Sequence, residues 1–372
     1  MSKIKFFDLK ALLKKYPDAQ YYMIFGERSN GKTFACKTVI LDNYLCRGEQ
    51  GAVIRRYDED WKGKQNGGVM WDDMLHHEKL GNIIEKKSKG KWNDVLWEGR
   101  QWTLCCRDDN GEIIERDQKP FAYAFSLTKE ENYKGKSFPN VTSIFFDEFM
   151  TRGYYLQDEF MLLTSVCSTI IRLRTNVKIF MCANTITTYC PYFVEMGLKH
   201  AKHLQDGEVH VYKIGETEGR VVVMRTESMV KVGEKPSNIY FAFDNPKLKM
   251  ITGGAWELKC YPRMPFEYRP CEIKLFYFIS FDNELFQCEI IKHGKMWITF
   301  IHRKTTPLKE DNRAIVYQQD YDPRPNYSRK IGKPTTPLQK FIARFFVREK
   351  VFYQDNAVGD SIEHYLKWQA TA

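Results

Sequence analysis

The stretch Gly26-Glu27-Arg28-Ser29-Asn30-Gly31-Lys32-Thr33 decides how the rest of the chain is read. It fits G-x-x-x-x-G-K-[ST] at every defined position, the pattern of a loop that cradles phosphate. Tyr21–Phe25 before it is a short apolar run that reads as a buried strand, and Phe34–Leu41 after it reads as a helix. Glycines let the backbone curl until its N–H groups face an anion, and the helix N-terminus adds partial positive charge. Gly26, Ser29, Asn30 and Gly31 would then line a nucleoside triphosphate's phosphates. Lys32 would reach the β- and γ-phosphates, and the Thr33 hydroxyl would hold Mg²⁺.

Composition narrows the class. The chain has 372 residues, 43% of them hydrophobic and 15% aromatic, enough for two domains or three. No run approaches the ~18 apolar residues of a membrane span, so no membrane partner is expected. The first residues lack the apolar core of a signal peptide, which predicts a cytoplasmic protein. Ten scattered Cys without a C-x-x-C pair predict reduced thiols rather than disulfides or a zinc site. The formal net charge of +10 favours polyanionic partners, though charge alone is weak evidence.

Outward from the loop, a helix over Phe6–Lys15 is predicted before it, and a strand over Ala52–Tyr57 after the Gly48–Gly51 turn. Strand, helix, strand is the start of a parallel α/β sheet, whose ligands sit at the C-terminal strand edges. Arg55 and Arg56 lie at that edge, as a solvated strand end or as nucleotide or inter-subunit contacts. A helix is predicted over Trp71–Leu80. Residues 92–127 hold short β-prone runs around the turn signal Asp108-Asp109-Asn110-Gly111 and read as a lid-like β insertion. Val141–Phe146 is an apolar strand ending in Asp147-Glu148. Such an Asp orders a Mg²⁺ shell, and the Glu after it can activate water. A helix over 156–171 leads to the strand Val177–Ala183, which ends in Asn184, placed to sense the γ-phosphate or to cap a strand. Arg172, just before that strand, could face a neighbouring subunit's nucleotide or be a surface cation.

The ordered set resembles the DNA-packaging motor ATPases (genome encapsidation proteins) of small tailed phages of the phi-twenty-nine type. It comprises the phosphate loop, Val53–Tyr57, Pro139–Phe149, and Ala183-Asn184 followed by Pro191-Tyr192-Phe193. The resemblance covers about residues 18–195. It implies a RecA-like P-loop ATPase core of the additional-strand, catalytic-glutamate class over 1–196, binding ATP and Mg²⁺. It also implies a homomeric, pentameric ring on the portal of a procapsid, in the cytoplasm of the infected bacterial host, translocating double-stranded DNA. By the same carry-over Thr33 and Asp147 serve the metal and Glu148 is the base. Arg172 acts in trans, Lys134 lies near the subunit interface, and Arg55 lies near the nucleotide. Thr175 and Asn176 stand where the family is more arginine-rich, leaving Arg172 or Arg174 as the finger.

After 196, residues 197–265 read as a connecting segment with strands near Val209–Ile214 and Arg220–Arg225. From 266 the pattern is β-rich α+β, a meander over 272–303 followed by helices at 337–349 and 359–368. The resemblance implies an RNase H-like fold there, a degenerate nuclease, and the first strand carries no acid for metal chemistry. Arg324, Arg329, Lys330, Lys333, Lys340, Arg344 and Arg348 are interleaved with Tyr and Phe and face few acids. They form either a nucleic-acid-binding surface, for DNA or a packaging RNA, or a solvated basic face over a core of Phe residues. Competing functional readings are a P-loop helicase or remodeller, a nucleotide-gated scaffold that hydrolyses little, and a terminase-like nuclease motor.

Overall fold

The computed structural model describes residues 7–28, 30–185, 187, 189–227 and 259–371. Ser29 and the part of the connecting segment from 228 to 258 lie outside the described residues.

The chain divides into two compact units. The first is built on a 10-stranded sheet. Its strands are β1 (Tyr21–Gly26), β2 (Gln50–Arg55), β3 (Asp94–Glu98), β4 (Gln101–Arg107), β5 (Ile113–Arg116), β6 (Ala122–Ser126), β7 (Val141–Asp147), β8 (Lys178–Asn184), β9 (Val209–Lys213) and β10 (Arg220–Arg225). They run in the order β3-β4-β6-β2-β7-β8-β1-β10-β9, with β5 paired to β4. The centre, β6-β2-β7-β8-β1-β10, is parallel. Both flanks, β3-β4-β6 and β10-β9, are antiparallel. A central parallel strand is covered on both faces and reads as a continuous apolar run. Every residue of β7 is accordingly buried, its terminal Asp147 included.

Residues 92–127 are not a separate lid. β3 to β5 continue the main sheet past β6, and β6 itself is one of its parallel strands. Aromatic packing carries this extension. Trp102 stacks among Trp61, Trp71 and Trp97 with ring centroids 4.7–6.0 Å apart, and its indole N–H donates to Gly67 O at 2.7 Å.

Helix α1 (Leu9–Lys15) starts at Asp8, whose carboxylate accepts from the Lys10 and Ala11 amides. The long α2 (Lys32–Arg47) buries Cys36, Val39, Ile40 and Leu41 on the sheet. The helix expected over 71–80 is only α3 (Asp72–Leu75), with α4 (Ile83–Lys87) following. Helix α5 (Glu159–Ile171) crosses from β7 to β8.

Thr151–Gln157 and Ile186–Gly197 group with the second unit, the latter including α6 (Pro191–Glu195). β9 and β10, inside the expected connecting segment, are strands of the first sheet. The second unit holds a 6-stranded sheet of β11 (Ile273–Phe281), β12 (Glu284–His293), β13 (Met296–Arg303), β14 (Val316–Gln318), β15 (Tyr327–Ser328) and β16 (Val351–Tyr353). Its order is β15-β14-β11-β12-β13-β16. The expected meander is β11-β12-β13; β14 and β16 join its two sides in parallel. Helices α7 (Pro337–Val347) and α8 (Asn356–Thr371) follow, burying Ile342, Phe345, Val358, Ile362 and Tyr365.

Candidate functional site

The loop between β1 and α2 is shaped by its glycines. Gly26 has φ +153°, and a Cβ there would meet Thr226 Oγ1 at 2.0 Å, so no other residue fits beside that threonine. Gly31, at φ 88°, is the cap from which α2 begins. Asn30 Nδ2 donates to Thr226 Oγ1, and the Phe7 amide donates to Asn30 O at 3.0 Å. The loop is thus propped from the end of β10 and from the segment before α1.

Lys32 folds back over this loop. Its ammonium donates to Glu27 O at 2.6 Å, Asn30 Oδ1 at 3.0 Å, Gly26 O at 3.3 Å and Asn184 Oδ1 at 3.4 Å. Burial pushes its pKa down to about 8. A cation held by neutral carbonyls in a dry loop is poised for a stronger anionic partner.

The acidic strand lies two places away. Asp147 ends β7, with β8 between it and β1. Thr33 Oγ1 donates to Asp147 Oδ1 at 3.2 Å, and Arg55 Nη2 pairs with Oδ2 at 2.9 Å. A hydroxyl beside a buried carboxylate is a suitable hard-oxygen pair for Mg²⁺. Glu148 follows, exposed, with φ 60°. Such a φ is costly for a side chain larger than glycine and persists only where the surroundings hold it. Arg56 supplies the hold, donating to Glu148 O at 3.2 Å and Phe149 O at 3.1 Å. Its guanidinium also makes 2.8 Å bonds to both carboxylate oxygens of buried Glu159, the first residue of α5. Arg55 and Arg56 were alike in the sequence. The structure separates them: Arg55 faces Asp147, and Arg56 is a buried brace.

Register explains the gathering. Gly26 pairs with Asn184, and Cys182 with Asp147, so neighbouring parallel strands end together. Lys32, Thr33, Asn30, Arg55, Asp147 and Asn184 therefore share one sheet edge. Lys134 and Arg172 do not join them. They line a common pocket of about 670 Å³ beside Pro139, which precedes β7 at the opposite edge. The seven residues of β8 separate the two edges, roughly 20 Å of extended chain. Arg172 has φ 53° and donates to Lys136 O at 2.6 Å, and Leu173 beside it is fully exposed. Arg174 is consumed internally, donating to the carbonyls of Pro139, Val141, Phe138, Ile170 and Ile171.

The basic residues of the second unit separate as well. Arg324 pairs with Asp322 and lies over the Tyr327 ring, and Arg329 donates to Gln319 O and lies over Trp368. Lys330 also has a partner within the protein. Lys333 and Lys340 are exposed. Arg344 and Arg348 line one groove with Lys295, Trp297 and Lys350. Two residues escaped the sequence reading. Thr226 lies 196 positions from Asn30 and had no local signal. Glu159 opens α5 like any acid in a first helical turn. Among the described residues, no three His, Cys, Asp or Glu side chains are grouped to hold a metal by themselves.

Fold and loop together define an α/β protein with two mixed sheets and a phosphate loop on the first. Residues 85–204 match the family model of the Podovirus DNA encapsidation protein (Gp16). The DNA packaging protein of Bacillus phage B103 is 26% identical over 179 residues, 47% of this chain and 47% of the relative. That of Bacillus phage phi29 is 25% identical over 201 residues, 53% and 52%. The chain thus spans about half the length of the curated relatives it matches. The bacteriophage Phi-29 viral genome packaging motor assembly shares the fold with TM-score 0.53 at 17% identity, covering 98% of this chain and 99% of that one. The Phi-28 gp11 DNA packaging motor does so with TM-score 0.52 at 18% identity, covering 98% of each. Over these residues the chain is similar to the Podovirus DNA encapsidation proteins of the phi29 type, in keeping with the resemblance of its ordered motifs.

Proposed function

We propose that this chain is an ATP-driven motor that moves double-stranded viral DNA into a procapsid, hydrolysing ATP at the interfaces of a homomeric ring of five subunits. The observation that carries the reading is the division of the site. Lys32, Thr33, Asp147 and Asn184 share one sheet edge, while Lys134 and Arg172 line a pocket at the other. A head-to-tail contact joining opposite edges of two copies completes such a site and generates a ring when the rotation closes. β8 between the loop strand and the acidic strand supports a RecA-like core of the additional-strand, catalytic-glutamate class. The order β13-β12-β11-β14-β15, with β12 antiparallel to its neighbours, supports an RNase H-like second unit. The motor would work in the cytoplasm of the infected bacterium, at the portal vertex, with a packaging RNA as a further partner.

In the reaction, Lys32 exchanges its loop carbonyls for the β- and γ-phosphate oxygens. The Glu148 carboxylate takes a proton from water as the water oxygen bonds to the γ-phosphorus and ADP leaves. The Asn184 amide orients that water. Arg172 and Lys134 of a neighbouring copy neutralise charge that builds on the transferred group. Thr33 and Asp147 would hold Mg²⁺, which supplies charge neutralisation when bound. Glu148→Gln should leave ATP binding within about twofold and reduce turnover at least 100-fold, since general-base catalysis contributes about 10²–10⁴. Normal turnover in that variant would sink the assignment.

A further inference from the structure

Several cations of the second unit have acidic partners within it. Arg303 pairs with Glu284 and Asp355, Lys259 and Lys367 with Glu363, and Arg324 with Asp322. Four others gather around one groove. The β12–β13 hairpin and α7 enclose a groove of about 360 Å³ lined by Lys295, Met296, Trp297, Phe341, Arg344, Phe345, Arg348 and Lys350. Among the described residues, the side chains of Lys295, Arg344, Arg348 and Lys350 make no ion pair or side-chain hydrogen bond, and all four are exposed. Concentrated like charge with no internal partner repels itself, and a polyanion relieves that. The floor is apolar: Phe341 packs edge-on against Trp297 at 5.8 Å and against Phe345 at 5.2 Å. Trp297 keeps 38% of its surface exposed and Met296 47%, although a buried position would be the cheaper place for both.

We infer that this groove is a binding site for unpaired nucleotides of a nucleic-acid strand, the backbone phosphates lying on Arg344, Arg348, Lys350 and Lys295 and a base packing on the open part of Trp297. The inference rests on the nucleic-acid reading of the second unit, and it moves the contact from the whole basic stretch to one groove. A rigid duplex would offer only phosphates to the rim, whereas an unpaired strand also has bases for an exposed aromatic floor. Lys295, Trp297 and the hairpin come from outside the basic segment of the sequence, which is why that segment alone did not locate the site. Arg324 and Arg329 fall outside it, since they are held by Asp322 and Gln319.

The test uses the full chain with no ATP present. Fluorescence anisotropy would follow labelled oligouridylate, oligodeoxythymidylate and a duplex DNA of equal length, from 50 to 250 mM salt. Arg344→Gln with Arg348→Gln should weaken binding of both single strands at least tenfold and lower the salt slope by about 1.4, two lost phosphate contacts at roughly 0.7 each. Trp297→Ala should weaken the single strands at least fivefold, Trp297→Phe should restore most of the loss, and duplex binding should change less than twofold. If the helix variant misfolds, Lys295→Gln with Lys350→Gln, at exposed positions, should give the same slope change. Single-strand binding unchanged by the charge variants overturns the site. A Trp297→Ala effect that is equal for duplex and single strands, or absent, overturns the unpaired-nucleotide assignment. A preference between uridylate and thymidylate tells RNA from DNA as the source, and either is a supporting result. Because ATP is absent, a wild type without ATP turnover would sink the motor reading and leave this one standing.

Discussion

Removing Glu159 is the perturbation whose consequences the structure defines most fully. Its carboxylate and the Arg56 guanidinium are 1% and 7% exposed, and two 2.8 Å bonds join them. Glu159→Ala would leave the guanidinium buried without its carboxylate partner, still donating to the Glu148 and Phe149 carbonyls. Breaking a buried pair by deleting one partner costs about 3–5 kcal/mol. At about 2–4 °C per kcal/mol for a domain of this size, the melting temperature should fall on the order of 10 °C. The double variant Arg56→Met with Glu159→Leu has no stranded charge and should recover most of that loss, as apolar replacement of buried pairs often does. Turnover should not recover with it, because the carbonyls that fix Glu148 at φ 60° have lost their donor. ATP binding at Lys32 should stay within about threefold of wild type. Calorimetry gives the first quantity, a coupled phosphate-release assay the second and fluorescent-nucleotide titration the third. If Glu159→Ala melts within 2 °C of wild type, the burial argument is wrong. If the double variant recovers turnover along with stability, Arg56 does not position Glu148.

Other outcomes follow from the same contacts. Gly26→Ala would drive a methyl into Thr226 Oγ1 and should weaken ATP binding at least tenfold, with part of the loss returned by adding Thr226→Ala; titration of both proteins decides it. Burial lowers the Lys32 pKa to about 8, so between about pH 8 and 10.5 the folded protein loses this proton while the unfolded chain still holds it. Stability of the nucleotide-free protein should therefore rise with pH across that window, by up to about 3 kcal/mol, and Lys32→Met should flatten the rise in urea melts. Arg172→Ala should abolish turnover without shifting the melting temperature and be partly rescued in mixed rings, whereas strictly proportional activity in the mixtures would refute action in trans. Arg174→Ala should instead lower the melting temperature by several degrees, because five carbonyls lose a charged donor.

Much of the fold is legible locally because parallel strands buried on both faces are nearly continuous apolar runs. Tyr21–Phe25, Val141–Phe146 and Val177–Ala183 could hardly be anything else. Where local pattern competed with long-range pairing, it misled. The Asp108–Gly111 turn marked a real hairpin, yet its strands extend the main sheet because Trp102 and its neighbours are buried there. The helix read over 71–80 stops after Leu75, and a tight bridge from His77 to Gly81 follows. In the site, Lys32, Thr33, Asp147 and Asn184 were each identifiable as the end of a strand or the start of a helix. Arg55 and Arg56 were not separable, since adjacent residues on a strand point to opposite faces and only packing says which face is dry.

What the chain determines by itself is the phosphate loop with its strand and helix, the acidic strand tip and the polar strand beside it. These depend on contiguous residues and on backbone geometry that neighbours a few positions away can set. What only the tertiary structure decides is the order of strands that puts β8 between loop and acid, the Thr226 hydroxyl under Asn30, and the Arg56–Glu159 brace beneath Glu148. It also decides that Arg172 stands a strand's length from the loop while Arg174 is spent indoors, and that Lys295 and Trp297 face Arg344 across one groove. Each of these joins residues tens to hundreds of positions apart, and burial and hydrogen bonding choose such pairs only once the sheets have assembled.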